Sequence, residues 1–157
     1  VESEKTAAAA VVLEIEIDAA PETVFEFFTD PDKMIQWMGR SAELDPRPGG
    51  ICRVDLNGRH IAAGTFVVLN RPDRVVFTWG WEGDDSSVAP GASTVEIDLS
   101  RRGTGTHLRL SHRDLPSDES RADHADGWRH YFGRLAIAAS GGDAGPDPWA
   151  DPDRAGS

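Results

Sequence analysis

The sequence carries five histidines, at positions 60, 107, 112, 124 and 130, and these are the side chains best suited to move a proton near neutral pH. Strand parity separates them. In the run THLRLSH, Leu108, Leu110 and His112 share one face while His107 and Arg109 take the other, so His112 faces inward. His124 lies one helical turn before Trp128 on an apolar stripe and also faces inward. If the protein is an enzyme, His112 and His124 are its general acid and base. No carboxylate joins them: Glu14, Glu16, Glu96 and Asp98 alternate with apolar residues and point outward. His60 sits in a run that is apolar on both faces, so its direction stays open. No two histidines are spaced i, i+4 on a helix, and Cys52 is the only cysteine, so no metal is expected. There is no glycine-rich phosphate loop and no G-x-S-x-G, so no cofactor is expected, and binding is a stronger reading than turnover.

Aromatic residues supply the other chemistry. In VVFTWGWEGD, residues 75–84, alternation puts Val75, Phe77, Trp79 and Trp81 on one face. Leu or Val would fill a core without the demand of an indole N–H for an acceptor, so a pair of tryptophans points to the wall of a pocket. Trp128 and Phe132 come from a helix, and Phe28, Met34 and Trp37 from two shorter ones. The candidate ligand-binding set is therefore Phe28, Met34, Trp37, Phe77, Trp79, Trp81, Leu110, His112, His124, Trp128 and Phe132. Ordinary core packing is the alternative for each of them. Cys52 shares a face with Val54 and Leu56 and reads as a small buried hydrophobe.

The elements that position these residues follow from periodicity. Residues 1–8 read as a loose arm, and residues 11–18 alternate as a half-buried strand. Pro21, with Glu22 behind it, opens a helix with a broad apolar side. TDPDK stops that helix and starts a short second one through Met34, Ile35 and Trp37. DPRPGG is a turn cluster, and NG at 57–58 is a hairpin signal between ICRVDL and HIAAGTFVVL. VVFTWGW, STVEIDLS and THLRLSH follow with turns between them, as a sequential antiparallel meander. A long helix begins at Asp118 as cap, buries Trp128, Phe132, Leu135 and Ala139, and ends at Gly141-Gly142. The order is strand, two short helices, six strands, long helix, an α+β arrangement in one domain over residues 9–140. Residues 141–157 are proline-rich with little to bury and read as a disordered tail, in which Trp149 either docks back or does nothing.

Composition narrows the partners. The chain has 157 residues and a net charge of −11, which disfavours nucleic acid and anionic membranes. No apolar run approaches the roughly 20 residues of a membrane span. The N-terminal stretch lacks the basic region of a signal peptide, and the lone cysteine suits a reducing compartment, so a cytoplasmic location is expected. An abundance of Ala, Gly, Asp and Arg with little Lys suggests a GC-rich bacterial genome. A monomer or a weak homodimer is expected, the 82–92 loop or an edge strand being able to support the latter.

Five segments carry a family resemblance: IDAAPETVFEFFTDPDKMIQWM at 17–38, PGG at 48–50, GTFVVLNRPDRVVFTW at 64–79, LRLSHRDLP at 108–116 and HADGWRHYFGRL at 124–135. Together they resemble the SRPBCC, or START-like, helix-grip superfamily, which includes START lipid-transfer domains, Bet v 1-like pollen allergens and polyketide cyclases. Within it they are most similar to the family named after the activator of the heat-shock-protein-90 ATPase. Trp37 and Trp128 match positions where that family also has aromatics. The resemblance implies a curved antiparallel sheet of about seven strands wrapped around a long C-terminal helix, with two short helices after the first strand. It also implies a hydrophobic pocket between sheet and helix. Chaperone activation is not expected, because the activator carries a separate N-terminal chaperone-binding domain and only about eight residues precede the first strand here.

The function expected is binding of a small hydrophobic, aromatic or polyketide-like metabolite or a lipid between sheet and helix. Two alternatives stand beside it. One is a polyketide cyclase or dehydratase-like enzyme using His112 and His124. The other is a resistance protein that sequesters, or is sacrificed to, a toxic metabolite such as an antibiotic.

Overall fold

In the computed structural model, residues 10–83 and 87–150 are described. Alternating apolar residues make β1 (Val11–Ile17), and Pro21 at the first turn starts α1 (Pro21–Thr29), which buries Val24, Phe25, Phe27 and Phe28. Pro31 and the side chain of Asp30, whose carboxylate accepts from the Asp32 N–H at 2.9 Å, restart the chain as α2 (Pro31–Met34). The remaining strands are β2 (Ser41–Leu44), β3 (Ile51–Asp55), β4 (Ile61–Asn70), β5 (Arg74–Trp79), β6 (Ser93–Arg102) and β7 (Gly105–Arg113). Then comes α3 (Asp118–Ala139). The strands form one antiparallel sheet in the order β1-β7-β6-β5-β4-β3-β2, so β1 returns to pair with the last strand and the meander runs outward from it. This is the expected helix-grip arrangement, with α3 lying against β1 and α1.

The core between sheet and helices is filled by large side chains. Phe28, Met34, Trp37, Phe66, Phe77, Leu108, Leu110, Phe132 and Leu135 are all fully buried. Trp37 donates its indole N–H to the Phe27 carbonyl at 3.0 Å and packs edge-on against Phe28.

Local chemistry moves some of the expected boundaries. The cap of α3 is Ser117 and not Asp118. The Ser117 hydroxyl accepts from the Ser120 N–H at 3.0 Å, leaving Asp118 and Glu119 in the first turn, where the helix dipole favours them. At the hairpin, Asn57 Oδ1 accepts from the N–H groups of Arg59 and His60, and Gly58 takes φ +84°. Of the stretch expected as a tail, residues 151–157 lie outside the described residues, as do 1–8 at the other end. Residues 143–150, by contrast, pack on the domain. Arg134 donates to the carbonyls of Ala144 and Gly145, His130 Nε2 donates to Asp147 at 2.8 Å, and Trp149 stacks on His130 with ring centres 4.1 Å apart. Two prolines, Pro146 and Pro148, leave this segment no hydrophobic period, yet side chains of α3 hold it.

Strand β5 ends at Trp79, one residue pair short of the expected run. Gly80 then lets the chain pass against the 88–90 backbone, where a Cβ would overlap the Ala89 carbonyl. Beyond it Trp81 makes a single bridge to Ala62, with its N–H donating to Val88 at 2.8 Å. Gly80 is thus required by close backbone approach. Gly80→Ala is expected to lower unfolding free energy by about 1–3 kcal/mol, the usual cost of overpacking a close contact. Urea denaturation followed by circular dichroism checks this; a midpoint equal to wild type would show that the backbone yields freely there.

Candidate functional site

A cleft of about 1010 Å³ opens at the end of β5 and the first half of α3, which the Trp81–His124 hydrogen bond joins at 3.0 Å. Trp79 and Trp81 form its sheet wall, and Ser120, His124, Gly127, Trp128 and Tyr131 its helix wall. The β3–β4 hairpin contributes Asn57, Arg59 and His60, and Trp149 closes one side. The aromatic rings touch in series. Trp79 lies 5.5 Å from Trp81 and 5.2 Å from Trp128, centre to centre, and Trp81 lies 5.9 Å from His124.

Four of the eleven residues expected to bind ligand therefore line the cleft: Trp79, Trp81, His124 and Trp128. The other seven, Phe28, Met34, Trp37, Phe77, Leu110, His112 and Phe132, do not line it and are buried in the core beside it. There Trp37 packs against both Phe28 and Phe132, with ring centres 5.3 Å and 6.2 Å apart. Tyr131, Ser120, Asn57, His60 and Trp149 are lining residues that parity and periodicity did not single out. Tyr131 was within reach of such reasoning, seven residues after His124 on the same helical face. The hairpin and Trp149 arrive through tertiary packing, which leaves no local pattern.

His112 sits behind the cleft wall, completely inaccessible to solvent. Its Nδ1 accepts from the Trp128 indole at 3.0 Å, so its proton is on Nε2, which lies 2.8 Å from Ser93 Oγ. Ser93 in turn donates to the Trp79 carbonyl at 2.8 Å. Burial, assisted by the neighbouring His124 imidazole, pushes the His112 pKa down to about 3. His124 repeats the pattern at the rim. Nδ1–H donates to the Ser120 carbonyl at 2.7 Å, and Nε2 accepts from Trp81 at 3.0 Å. Burial lowers its pKa as well. The two imidazole rings are 5.0 Å apart, but every ring nitrogen is engaged by a protein group. They hold indoles in place, and neither presents a free nitrogen to a substrate. Cys52 is buried, and its thiol is pushed up to about 12, far from the thiolate a nucleophile needs. Among the described residues, no group of three or more His, Cys, Asp or Glu side chains is placed to hold a metal ion. No helix among them is long and apolar enough to cross a membrane.

The His112 geometry makes stability fall with acid. The unfolded chain protonates this imidazole below about pH 6.5, whereas the folded chain refuses the proton until about pH 3. Across that window the unfolded state binds more protons, so this group, with His124 acting in the same sense, removes stability as the pH falls. Carboxylates with lowered pKa, such as Glu26 and Glu82, add to the loss only at lower pH, and His107, raised by Glu16 and Glu14, opposes it. His112→Gln is therefore expected to be less stable at pH 7 but to show a shallower decline between pH 6.5 and 5. Urea midpoints of both proteins across that range check it; parallel declines would show that His112 is not the group responsible.

Comparison with known proteins gives these features a family. The family described as Activator of Hsp90 ATPase homolog 1-like protein matches residues 18–140. An AHSA1-like protein from Rhizobium etli, solved in solution, is 45% identical over 89% of this chain and 88% of its own, with a TM-score of 0.68. CalU16 from Micromonospora echinospora is 26% identical over 84% of this chain and 76% of its own, with a TM-score of 0.68. DynU16, a protein of the dynemicin biosynthetic locus, is 25% identical over 87% of this chain, with a TM-score of 0.74; the chain spans only 49% of DynU16. No curated protein matches the sequence. The match over 18–140, most of the domain, together with the long helix gripped by a seven-stranded sheet, shows that the chain belongs to the AHSA1-like family of helix-grip proteins.

Proposed function

We propose that the protein binds a small, largely apolar aromatic molecule in the cleft between the end of β5 and the first half of α3. The observation that carries this is the convergence of four aromatic rings, Trp79, Trp81, Trp128 and Tyr131, on one open cleft. Stacking faces of this kind recognise flat, polarisable ligands, with a few polar groups to orient them. The cleft volume, about 1010 Å³, is at the upper end of small-molecule sites. The relative encoded in a biosynthetic locus agrees with a small-molecule partner. Turnover is disfavoured because the ring nitrogens of His112 and His124 are already engaged. Carrying or sequestering the ligand is the activity this arrangement suits.

Titration of intrinsic tryptophan fluorescence with polycyclic aromatic, polyketide and lipid compounds tests this. A saturable change is expected with the aromatic compounds. Trp81→Ala, at the half-buried rim, should weaken binding about tenfold, the order of one aromatic stacking contact, while circular dichroism stays native. A signal that stays flat across all three compound classes would remove the cleft as a ligand site.

A further inference from the structure

Two polar atoms at the cleft break the pattern that the rest of the site obeys. The indole N–H groups of Trp37, Trp81 and Trp128 each donate to a protein acceptor: the Phe27 carbonyl, His124 and His112. The N–H of Trp79 is buried and no described protein group accepts from it. The hydroxyl of Ser120 is likewise buried, and among the described residues no group pairs with it. Both residues line the cleft, and both are more than nine-tenths buried, at 4% and 7% exposure. A buried N–H left unmade costs about 1–3 kcal/mol, so an orphan donor on a residue that lines a site calls for an acceptor from whatever enters.

We infer that the ligand carries a neutral oxygen acceptor, a ketone or quinone carbonyl on an aromatic frame, that takes the Trp79 N–H, with the Ser120 hydroxyl meeting a second polar edge. This rests on the cleft being the ligand site. An indole can only donate, so the complementary ligand atom must accept. Charge argues for a neutral one. Glu82, Glu119 and Asp123 stand around the cleft against the single guanidinium of Arg59, and Glu82 is itself held by Arg53 at 2.7 Å. A carboxylate ligand would enter against that field. A plain hydrocarbon would stack on the rings but leave the Trp79 donor unpaired.

Fluorene and fluorenone test the inference, because they share a flat tricyclic frame and differ by one carbonyl oxygen. The wild-type protein is expected to bind fluorenone about tenfold more tightly than fluorene, the order of one buried hydrogen bond. In Trp79→Phe, which keeps a smaller ring and removes the N–H, both affinities should fall with the lost ring area, and the preference for fluorenone over fluorene should fall to about twofold or less. Ser120→Ala, a smaller change that spares the aromatic wall, should weaken a hydroxyfluorenone more than fluorenone. Equal affinity of the wild-type protein for fluorene and fluorenone overturns the inference while leaving the cleft as a binding site. A preference that survives in Trp79→Phe overturns it too, as does a fluorene carboxylate that outbinds fluorenone. Binding of none of these compounds removes the cleft reading and the inference together.

Discussion

One imidazole joins the long helix to the sheet. His112, on the inner face of β7, accepts from Trp128 of α3 and lies within hydrogen-bond distance of Ser93 of β6, which passes the chain on to the Trp79 carbonyl at the end of β5. Three strands and a helix meet through a single side chain with no access to water. Only the neutral tautomer with its proton on Nε2 satisfies both neighbours, since a proton on Nδ1 would face the Trp128 N–H. The cost of burying a polar ring is offset because both of its nitrogens find partners. In exchange the network fixes the rotamer of Trp128 and the backbone of Trp79, the two indoles that meet at the head of the cleft.

The same device recurs one turn earlier on α3. His124 takes the Trp81 N–H and is anchored by the Ser120 carbonyl. Two histidines on neighbouring elements therefore serve as acceptors for two tryptophans. That explains why the ring nitrogens least suited to burial sit beside the aromatic wall. An indole held by a histidine loses little freedom when a ligand arrives, which favours tight association. Trp79 is oriented by ring contacts and backbone alone, and no described group accepts from its buried N–H.

The fold was legible in the sequence because its signals are local. Alternation in residues 11–17, Pro21 at a helix start, Asn57-Gly58 and the stripe of α3 each announce an element without reference to the rest. Of the six strands expected after the short helices, β2 is the one that no segment announces, because its four residues SAEL carry too little pattern. The inward directions of His112 and His124 were also readable from period alone. What period could not tell is which inward residues touch empty space. Phe77 and Trp79 share a face of β5, yet Phe77 is packed in the core beside Phe66 and Trp79 reaches the cleft. The difference lies in what stands opposite, which is set by pairing over long sequence separations. The segment around Trp149 shows the same limit, since its attachment depends on His130 and Arg134 of α3 and not on its own composition.

Why the gap opens where it does follows from side-chain size along one stripe of α3. Positions 120, 124, 128, 132 and 135 climb a single helical face. Its upper part presents Trp128, Phe132 and Leu135, all buried against the sheet and short helices, with Trp37 6.2 Å from Phe132 and Trp128 5.6 Å from it. The lower part presents Ser120 and His124, with Gly127 alongside, where a Cβ would meet no neighbouring atom within 4 Å. A helix held at a fixed distance from the sheet by the large residues above cannot close onto the sheet where its side chains become small. Space is therefore left at the N-terminal half of the helix, beside the end of β5. The hollow is a consequence of a size step in the stripe, and Trp128, one of the rings that hold the helix off, also supplies the cleft's upper wall.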